Sequence, residues 1–324
     1  MTIYDELPAI YRIKRAQTDV DRIANEFYEA SLDLDPVLAT EHGRTGVETL
    51  FGDYSPAGEE AYAKLVKKTL KKLDKIIPID DTDLVTLDAM QERLTLTRQM
   101  RRAGLGRWQL NNIFSAPQQI RTSFDLMSRE NERDWAHIAG RLANVPGAID
   151  GFIQTLEAAR AEGKVSPRRQ VQIVIEQAEA YIADGGFFDA LAAEITAAAP
   201  AITEQAREDA QAAKDGYRAL IVYLRDTLLP EAPSKDAVGR ELYTLYSRES
   251  LGASIDLDET YAWGVQELER IITEQHTVAS EIEPGASIER AKELLDMDPV
   301  RALHGTEALQ EWMQTHADTA ADCC

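Results

Sequence analysis

Cysteine is almost missing from this sequence of 324 residues, and the only two, Cys323 and Cys324, are adjacent at its end. Two neighbouring cysteines cannot cross-link distant parts of a chain, so the fold depends on its core and not on disulfides. Long apolar runs are also missing, because no stretch approaches the roughly 20 residues that span a bilayer. The opening residues, M-T-I-Y-D-E, show no basic segment followed by an apolar run, so no signal peptide is predicted. These absences favour a cytoplasmic protein.

Positive charge is scarce. The chain has 35 Lys and Arg against 56 Asp and Glu, a net charge of −21 and an isoelectric point near 4.7. Nucleic acid binding requires Lys and Arg gathered on one face, and anionic membranes likewise attract basic segments. We therefore expect no nucleic acid and no membrane as partner. The excess of acid is interpreted as a solvated surface that keeps the protein soluble.

Alternating β-branched segments are lacking too, which argues against a sheet. Instead, apolar residues recur at spacings of three and four, the pattern of amphipathic helices. Ser55-Pro56 and Ser166-Pro167 have the form of an N-cap followed by a proline in the first turn. We predict an all-α fold, a multi-helix array with an N-terminal region over 1–230 and a C-terminal region over 234–322. One continuous domain remains the alternative.

No complete catalytic motif can be found. None of the histidines is followed by glutamate and no two are four residues apart, so the zinc-peptidase helix is missing. No Gly-x-Ser-x-Gly elbow occurs either. We therefore assign no catalytic residue and no metal ligand. His276 falls on the inner stripe of a long amphipathic helix over 258–280 and is predicted to be a core histidine. The histidines are His42, His137, His276, His304 and His316.

The most informative segment is 238–264, in which arginines stand among tyrosines. The candidate substrate-binding residues are Arg240, Tyr243, Tyr246 and Arg248. In one interpretation this segment is part of the wall of a substrate cleft, where arginine and tyrosine orient a carboxylate or a peptide carbonyl. In the other it is a buried helix-loop-helix, with tyrosines in the core and arginines as ion-pair partners.

The order of several short motifs resembles the bacterial domain-of-unknown-function family 885 over essentially the whole chain. The motifs are Leu34-Asp35-Pro36, Asp53-Tyr54-Ser55-Pro56, Trp135, Leu142, Val145-Pro146, the segment 238–264, Ile282-Glu283-Pro284-Gly285, Asp298-Pro299, Gly305, Glu307-Ala308-Leu309 and Trp312-Met313. This resemblance implies a helical, zincin-like fold related to metallopeptidases. It also implies that full-length relatives, about twice as long, bind zinc through a His-Glu helix in their second half and act on peptides.

By that resemblance the present sequence corresponds to the N-terminal half of such a protein, one side of a metallopeptidase-like cleft, truncated before the metal site. It carries no zinc ligand of its own and is expected to be inactive alone. An isolated half should expose an apolar face and self-associate through it. The rival hypothesis is a stand-alone, non-catalytic helical scaffold or binding module.

Overall fold

The computed structural model describes residues 15–322, and helices form its regular structure. In chain order these are α1 (Asp19–Leu34), α2 (Pro36–Glu41), α3 (Pro56–Leu73), α4 (Asp81–Arg102), α5 (Ala116–Thr122), α6 (Glu132–Ala143), α7 (Val145–Ala161), α8 (Arg168–Ile182), α9 (Phe187–Ala198), a 3₁₀ turn (Pro200–Ile202), α10 (Thr203–Tyr223), a π-helical turn (Leu224–Leu228), α11 (Leu229–Glu231), α12 (Arg240–Leu251), α13 (Leu257–Ile282), α14 (Ile288–Met297) and α15 (Thr306–Asp322). Residues 15–322 contain no strand, so the all-α prediction is confirmed. Cys323 and Cys324 lie outside the described residues.

Several helix starts follow the local chemistry of the sequence. The start of α8 does not, because its N-cap is Pro167 and the hydroxyl of Ser166 instead accepts a hydrogen bond from the amide of Leu110 at 2.9 Å. Ser55 accepts a hydrogen bond from the backbone N–H of Ala57 at 3.2 Å, and Pro56 is the first residue of α3. Asp256 accepts from two backbone N–H groups in the first turn of α13. These side chains satisfy amides that have no partner within the helix, which fixes where each helix begins.

The main hydrophobic core lies around α7 and α10, which pack against each other and, through α10, against α6, α8 and α9. Phe152 and Leu156 of α7 and Tyr217 of α10 are almost completely buried. Since the interior is apolar, the phenol of Tyr217 needs a partner, and it donates to the carbonyl of Pro117 at 2.6 Å. The core therefore fixes the positions of α6 to α10 relative to one another.

A second, smaller core is formed by α1, α3 and α4. At its edge the buried carboxylate of Asp83 accepts hydrogen bonds from the Thr18 hydroxyl at 2.7 Å and the Ile79 amide at 3.1 Å, with Arg15 as its ion-pair partner at 3.1 Å. Burial raises the pKa of Asp83, but these three groups outweigh it and lower the pKa below its ordinary value. The carboxylate thus joins the chain before α1 to the start of α4.

Replacing Asp83 with asparagine should destabilise the protein in a pH-dependent way. Because the pKa is lower in the folded state, ionised Asp83 stabilises the fold at and above the ordinary aspartate pKa of about 3.9. That stabilisation is lost as pH falls through the lower folded-state value. Urea unfolding at pH 7 and pH 3 measures the free energy of unfolding of the wild type and of Asp83→Asn. The difference between the two proteins should be smaller at pH 3 than at pH 7. A difference independent of pH would contradict this, and exposed Asp81→Asn is the matched control.

The described residues form two compact units, which meet in sequence between Ala253 and Ser254. The first contains α1 to α12, and the second contains α13 to α15. Compactness alone does not define regions that fold independently, so the division into 1–230 and 234–322 remains a prediction.

In the second unit α13 packs against α14, and one alanine of each helix is buried, Ala279 and Ala291. Arg290 and Glu283 form an ion pair beside the turn between these helices, with 3.2 Å between Nε and Oε2. His276 is exposed, so the prediction of a core histidine is wrong. Helical periodicity identifies the apolar face of α13, but it does not show whether anything in the same chain covers that face.

Candidate binding surface

The four candidate residues all lie on α12, whose ends are set by glycines with positive φ. Gly239 (φ 85°) precedes the helix and Gly252 (φ 73°) follows its last residue. Residues that have a Cβ rarely adopt a backbone conformation with positive φ. The guanidinium of Arg93, on α4, donates to the carbonyls of Arg248 at 3.1 Å and Glu249 at 2.8 Å. A cation at a helix C-terminus also interacts favourably with the helix dipole, so α4 anchors that end of α12.

Arg248 binds α4 through its side chain as well. Its Nε donates to Glu92 at 2.7 Å, its Nη2 contacts the other oxygen of the same carboxylate, and its Nη1 donates to Gln99 at 3.0 Å. The bond with Arg248 lowers the pKa of Glu92, and Glu92 in turn raises the pKa of Arg248. Both groups therefore stay charged, and their two-point contact fixes the rotation of α12 about its axis.

Tyr246 links α12 to the loop that follows α4. Its phenol accepts a hydrogen bond from Gln109 Nε2, and Gln109 Oε1 accepts from the amide of Gly106 at 3.2 Å. Tyr246 is half-buried, and burial raises its pKa. The helix that carries the candidate residues is thus held to the rest of the first unit at two separate points, one on α4 and one on this loop.

Arg240 and Tyr243, one turn apart at the start of α12, are exposed, with 56% of Tyr243 accessible to solvent. Of the twelve residues described in α12, none is buried. The structure therefore holds Tyr246 and Arg248 against other parts of the first unit and places Arg240 and Tyr243 at the surface of that unit. Substrate contact by these four residues remains a prediction.

Sequence reasoning missed the residues that hold α12 in place. These are Glu92, Arg93 and Gln99 on α4 and Gln109 in the loop. Each lies more than 130 positions from its partner, and nothing in the local pattern of a charged helix face indicates which distant side chain it binds. The only signal is general, namely that arginines among tyrosines favour ion pairs.

The contact between Glu92 and Arg248 should be measurable as a coupling energy. In a double-mutant cycle with Glu92→Gln and Arg248→Met, we expect a coupling of about 0.5–1 kcal/mol, because the pair is bidentate but partly solvated. Chemical denaturation of the four proteins measures it. The exposed pair Arg22 and Glu26 on α1 serves as a control, for which we expect a smaller value. Equal coupling in the two pairs would show that the contact does not hold α12.

The zinc implied by the resemblance can be tested against the donors present. Within residues 15–322 no three His, Cys, Asp or Glu side chains are grouped so that they could hold a metal ion. His42, for example, is paired with the hydroxyl of Tyr28 at 2.7 Å and not with acidic side chains. The described residues do not fit a zinc ion, and no chemical step is assigned to one.

Two surface grooves, of about 530 and 660 Å³, lie on either side of Tyr223 and Thr227, where α10 passes into the π-helical turn. In the second groove Glu157 binds Arg160 through both carboxylate oxygens and accepts a hydrogen bond from Tyr223 at 2.9 Å. Arg160 and then Tyr223 lower the pKa of Glu157 to about 2. A carboxylate this firmly ionised and paired is a poor general base, so Glu157 does not give the second groove one.

Comparison with known proteins resolves the family. A family described as "bacterial protein of unknown function (DUF885)" matches residues 36–323. The chain belongs to this family. The match confirms the resemblance seen in the sequence, while the relation to zincin-like metallopeptidases stays a hypothesis. No curated protein matches the DUF885 chain.

Two solved structures are similar to it. A "putative lipoprotein" from Colwellia psychrerythraea superposes with a TM-score of 0.69 at 15% identity, covering 94% of this chain and 58% of that one. A "putative lipoprotein of unknown function" from Shewanella oneidensis gives a TM-score of 0.65, also at 15% identity, with coverages of 86% and 52%. At such identity the likeness establishes the fold alone. The chain spans little more than half the length of either relative.

Residues 15–322 include no helix that is both long and apolar enough to cross a membrane. The cytoplasmic location expected from the sequence remains a prediction.

Proposed function

We propose that this DUF885 chain contributes one wall of a peptide-binding cleft and is not catalytic alone. The observation that carries the proposal is the arrangement of α12. Tyr246 and Arg248 hold it against the rest of the first unit, while Arg240 and Tyr243 are exposed on the same helix. Because α12 is already held in place, a ligand that binds to it bears no cost for ordering the helix backbone.

The chemistry of the exposed pair suits a peptide. An arginine guanidinium forms strong, directional hydrogen bonds with a carboxylate, and a tyrosine offers a large apolar ring with a hydroxyl for a peptide carbonyl. Arg240 and Tyr243 are one helical turn apart and lie on neighbouring positions of one face. In this proposal Arg240 binds an acidic group or chain terminus and Tyr243 packs along the adjacent backbone.

The expectation of no independent catalysis rests on two observations. The described residues have no grouped metal ligands, and the solved relatives are much longer than the present chain. In the proposal, zinc and the catalytic groups of full-length DUF885 proteins come from residues outside the matched part. Peptide hydrolysis by the whole protein is likewise part of the proposal.

A binding experiment tests the proposal at α12. Fluorescence anisotropy with a library of labelled hexapeptides, each made with a free and an amidated C-terminus, should identify peptides that bind the full chain. Tyr243→Ala and Arg240→Ala are expected to weaken binding about tenfold, equivalent to about 1.4 kcal/mol. Tyr62→Ala, a partly exposed tyrosine on α3, is the matched control and should have no effect. Peptide binding that survives both α12 variants would refute the assignment.

The rival is a stand-alone helical scaffold. It predicts a monodisperse protein that melts cooperatively, whereas a part of a larger fold should self-associate through its uncovered helix faces. Light scattering combined with thermal denaturation distinguishes the two.

A further inference from the structure

The apolar face of α13 is built like the inner face of a bundle helix. In a heptad register that begins at Tyr261, apolar residues fill most a, d and e positions over three heptads, with Gly264 and Gln275 as the exceptions. The members that define this stripe are all between 39% and 76% exposed: Tyr261, Val265, Leu268, Ile271, Ile272 and Val278. Exposing such a stripe to water carries a penalty, so its regularity points to a partner.

Within the second unit the stripe is covered at one end only. Helix α14 packs near the C-terminal end of α13, where Ala279 is buried. From Tyr261 to Val278, about 25 Å of helix at 1.5 Å per residue, no described residue of the stripe is buried. That length is sufficient for a second helix of about five turns to lie along it.

Negative charge is concentrated in the second unit, which carries this stripe. Residues 254–322 contain sixteen Asp and Glu against four Lys and Arg, a net charge of −12 in about a fifth of the chain, which carries −21 in all. Glu267, Glu274 and Glu281 follow one another at intervals of seven, so they form a row along one edge of the stripe. Arg270 pairs with the first two of these at 2.7 and 2.8 Å, but both pairs are solvent-exposed and weak. The other edge includes Glu269.

We propose that the apolar stripe of α13 binds a basic, amphipathic helix of a partner polypeptide. Apolar residues of the partner would fill the stripe, and Lys or Arg beside them would pair with the glutamate row, as charges flanking a coiled-coil seam select a partner. A second copy of this chain fits less well, since it would bring two units of net charge −12 together. The inference goes beyond the proposed function, because it involves neither substrate nor metal.

The experiment uses the full chain and three synthetic peptides of about 21 residues, which are long enough to cover the stripe. Fluorescence anisotropy of the labelled peptides measures their binding. The first has leucine at positions a, d and e with lysine beside them, the second has glutamate in place of lysine, and the third is a scrambled version of the first. We expect the lysine peptide to bind at micromolar concentration and the other two at least about tenfold more weakly. The preference for lysine over glutamate should shrink in about 1 M salt, where the Debye length is about 3 Å.

Variants place the binding on α13. Leu268→Gln should weaken binding of the lysine peptide about tenfold. Leu84→Gln on α4 should not weaken it, although Leu84 is 56% exposed and Leu268 is 57% exposed. The triple change Glu267→Gln, Glu274→Gln and Glu281→Gln should remove the lysine preference. Neutralising three exposed acids of α10 with Glu204→Gln, Glu208→Gln and Asp215→Asn should leave it intact.

Three results would overturn the inference. The first is equal binding of the lysine and scrambled peptides, and the second is an equal loss with Leu268→Gln and Leu84→Gln. The third is a chain that sediments as a dimer at micromolar concentration and becomes monomeric with Leu268→Gln, which would make a second copy the occupant. None of these results depends on peptide binding at α12, so this inference and the proposed function can fail separately.

Discussion

Replacing Leu156 with alanine is expected to lower the free energy of unfolding by about 2–5 kcal/mol, whereas Leu268→Ala should lower it by less than about 1 kcal/mol. Leu156 on α7 is 1% exposed in the main core, so its removal leaves a cavity as well as losing buried apolar surface. Leu268 on α13 is 57% exposed, and truncation there leaves no cavity. The same substitution therefore distinguishes a leucine that stabilises the fold of this chain from a leucine on a face that nothing in the second unit covers.

Urea denaturation, monitored by circular dichroism, measures the free energy of unfolding of Leu156→Ala. Because the two leucines lie in different units, amide hydrogen exchange along α7 and α13 should accompany it, so that local opening of either helix is seen directly. A cost at Leu268 as large as that at Leu156 would mean that the α13 stripe is already buried in solution. The inference of an uncovered face would then be wrong.

The second large effect is expected at Gly58, the third residue of α3. A Cβ built there would lie 2.0 Å from the carbonyl oxygen of Asp53, because the chain before α3 folds back over the helix start. Gly58→Ala must displace backbone and should destabilise the protein by about 1–3 kcal/mol. Alanine normally stabilises a helix relative to glycine, so the sign is the reverse of the helix-propensity rule.

Gly147 provides the matched control, since it too is the third residue of its helix, α7. A Cβ there meets no atom of the described chain within 4 Å. Gly147→Ala should therefore stabilise the fold by up to about 1 kcal/mol. Thermal denaturation of both variants should show opposite shifts, and a stabilising Gly58→Ala would show that the segment before α3 does not approach the helix as described.

Much of the fold can be predicted because helix boundaries depend on neighbouring residues. Ser55-Pro56, Asp80 and Ser287 begin helices through side-chain hydrogen bonds to the next few amides, and this chemistry is visible in a short window of sequence. The lack of a period-two pattern likewise indicates the absence of strands that residues 15–322 show. The tertiary placement of α12 cannot be predicted in this way, because the partners of Arg248 and Tyr246 are far away in the chain.

The exposure of α13 shows a second limit of prediction from the sequence. Periodicity places Val265 and Leu268 on one stripe with His276 at its edge, and burial is inferred from that position. An apolar stripe shows that a helix can pack against another element, but that element need not belong to the same chain. The prediction for His276 is wrong for this reason, and the same reasoning makes the stripe a docking surface.

Our central proposal is that this DUF885 chain binds but does not catalyse by itself. Elemental analysis of purified protein incubated with zinc and then dialysed, combined with a peptide-hydrolysis assay with and without chelator, tests it most directly. We predict much less than one zinc ion per chain and no hydrolysis that a chelator suppresses. Stoichiometric zinc together with chelator-sensitive turnover would contradict the proposal, because the chain would then contain the metal site that we place outside it.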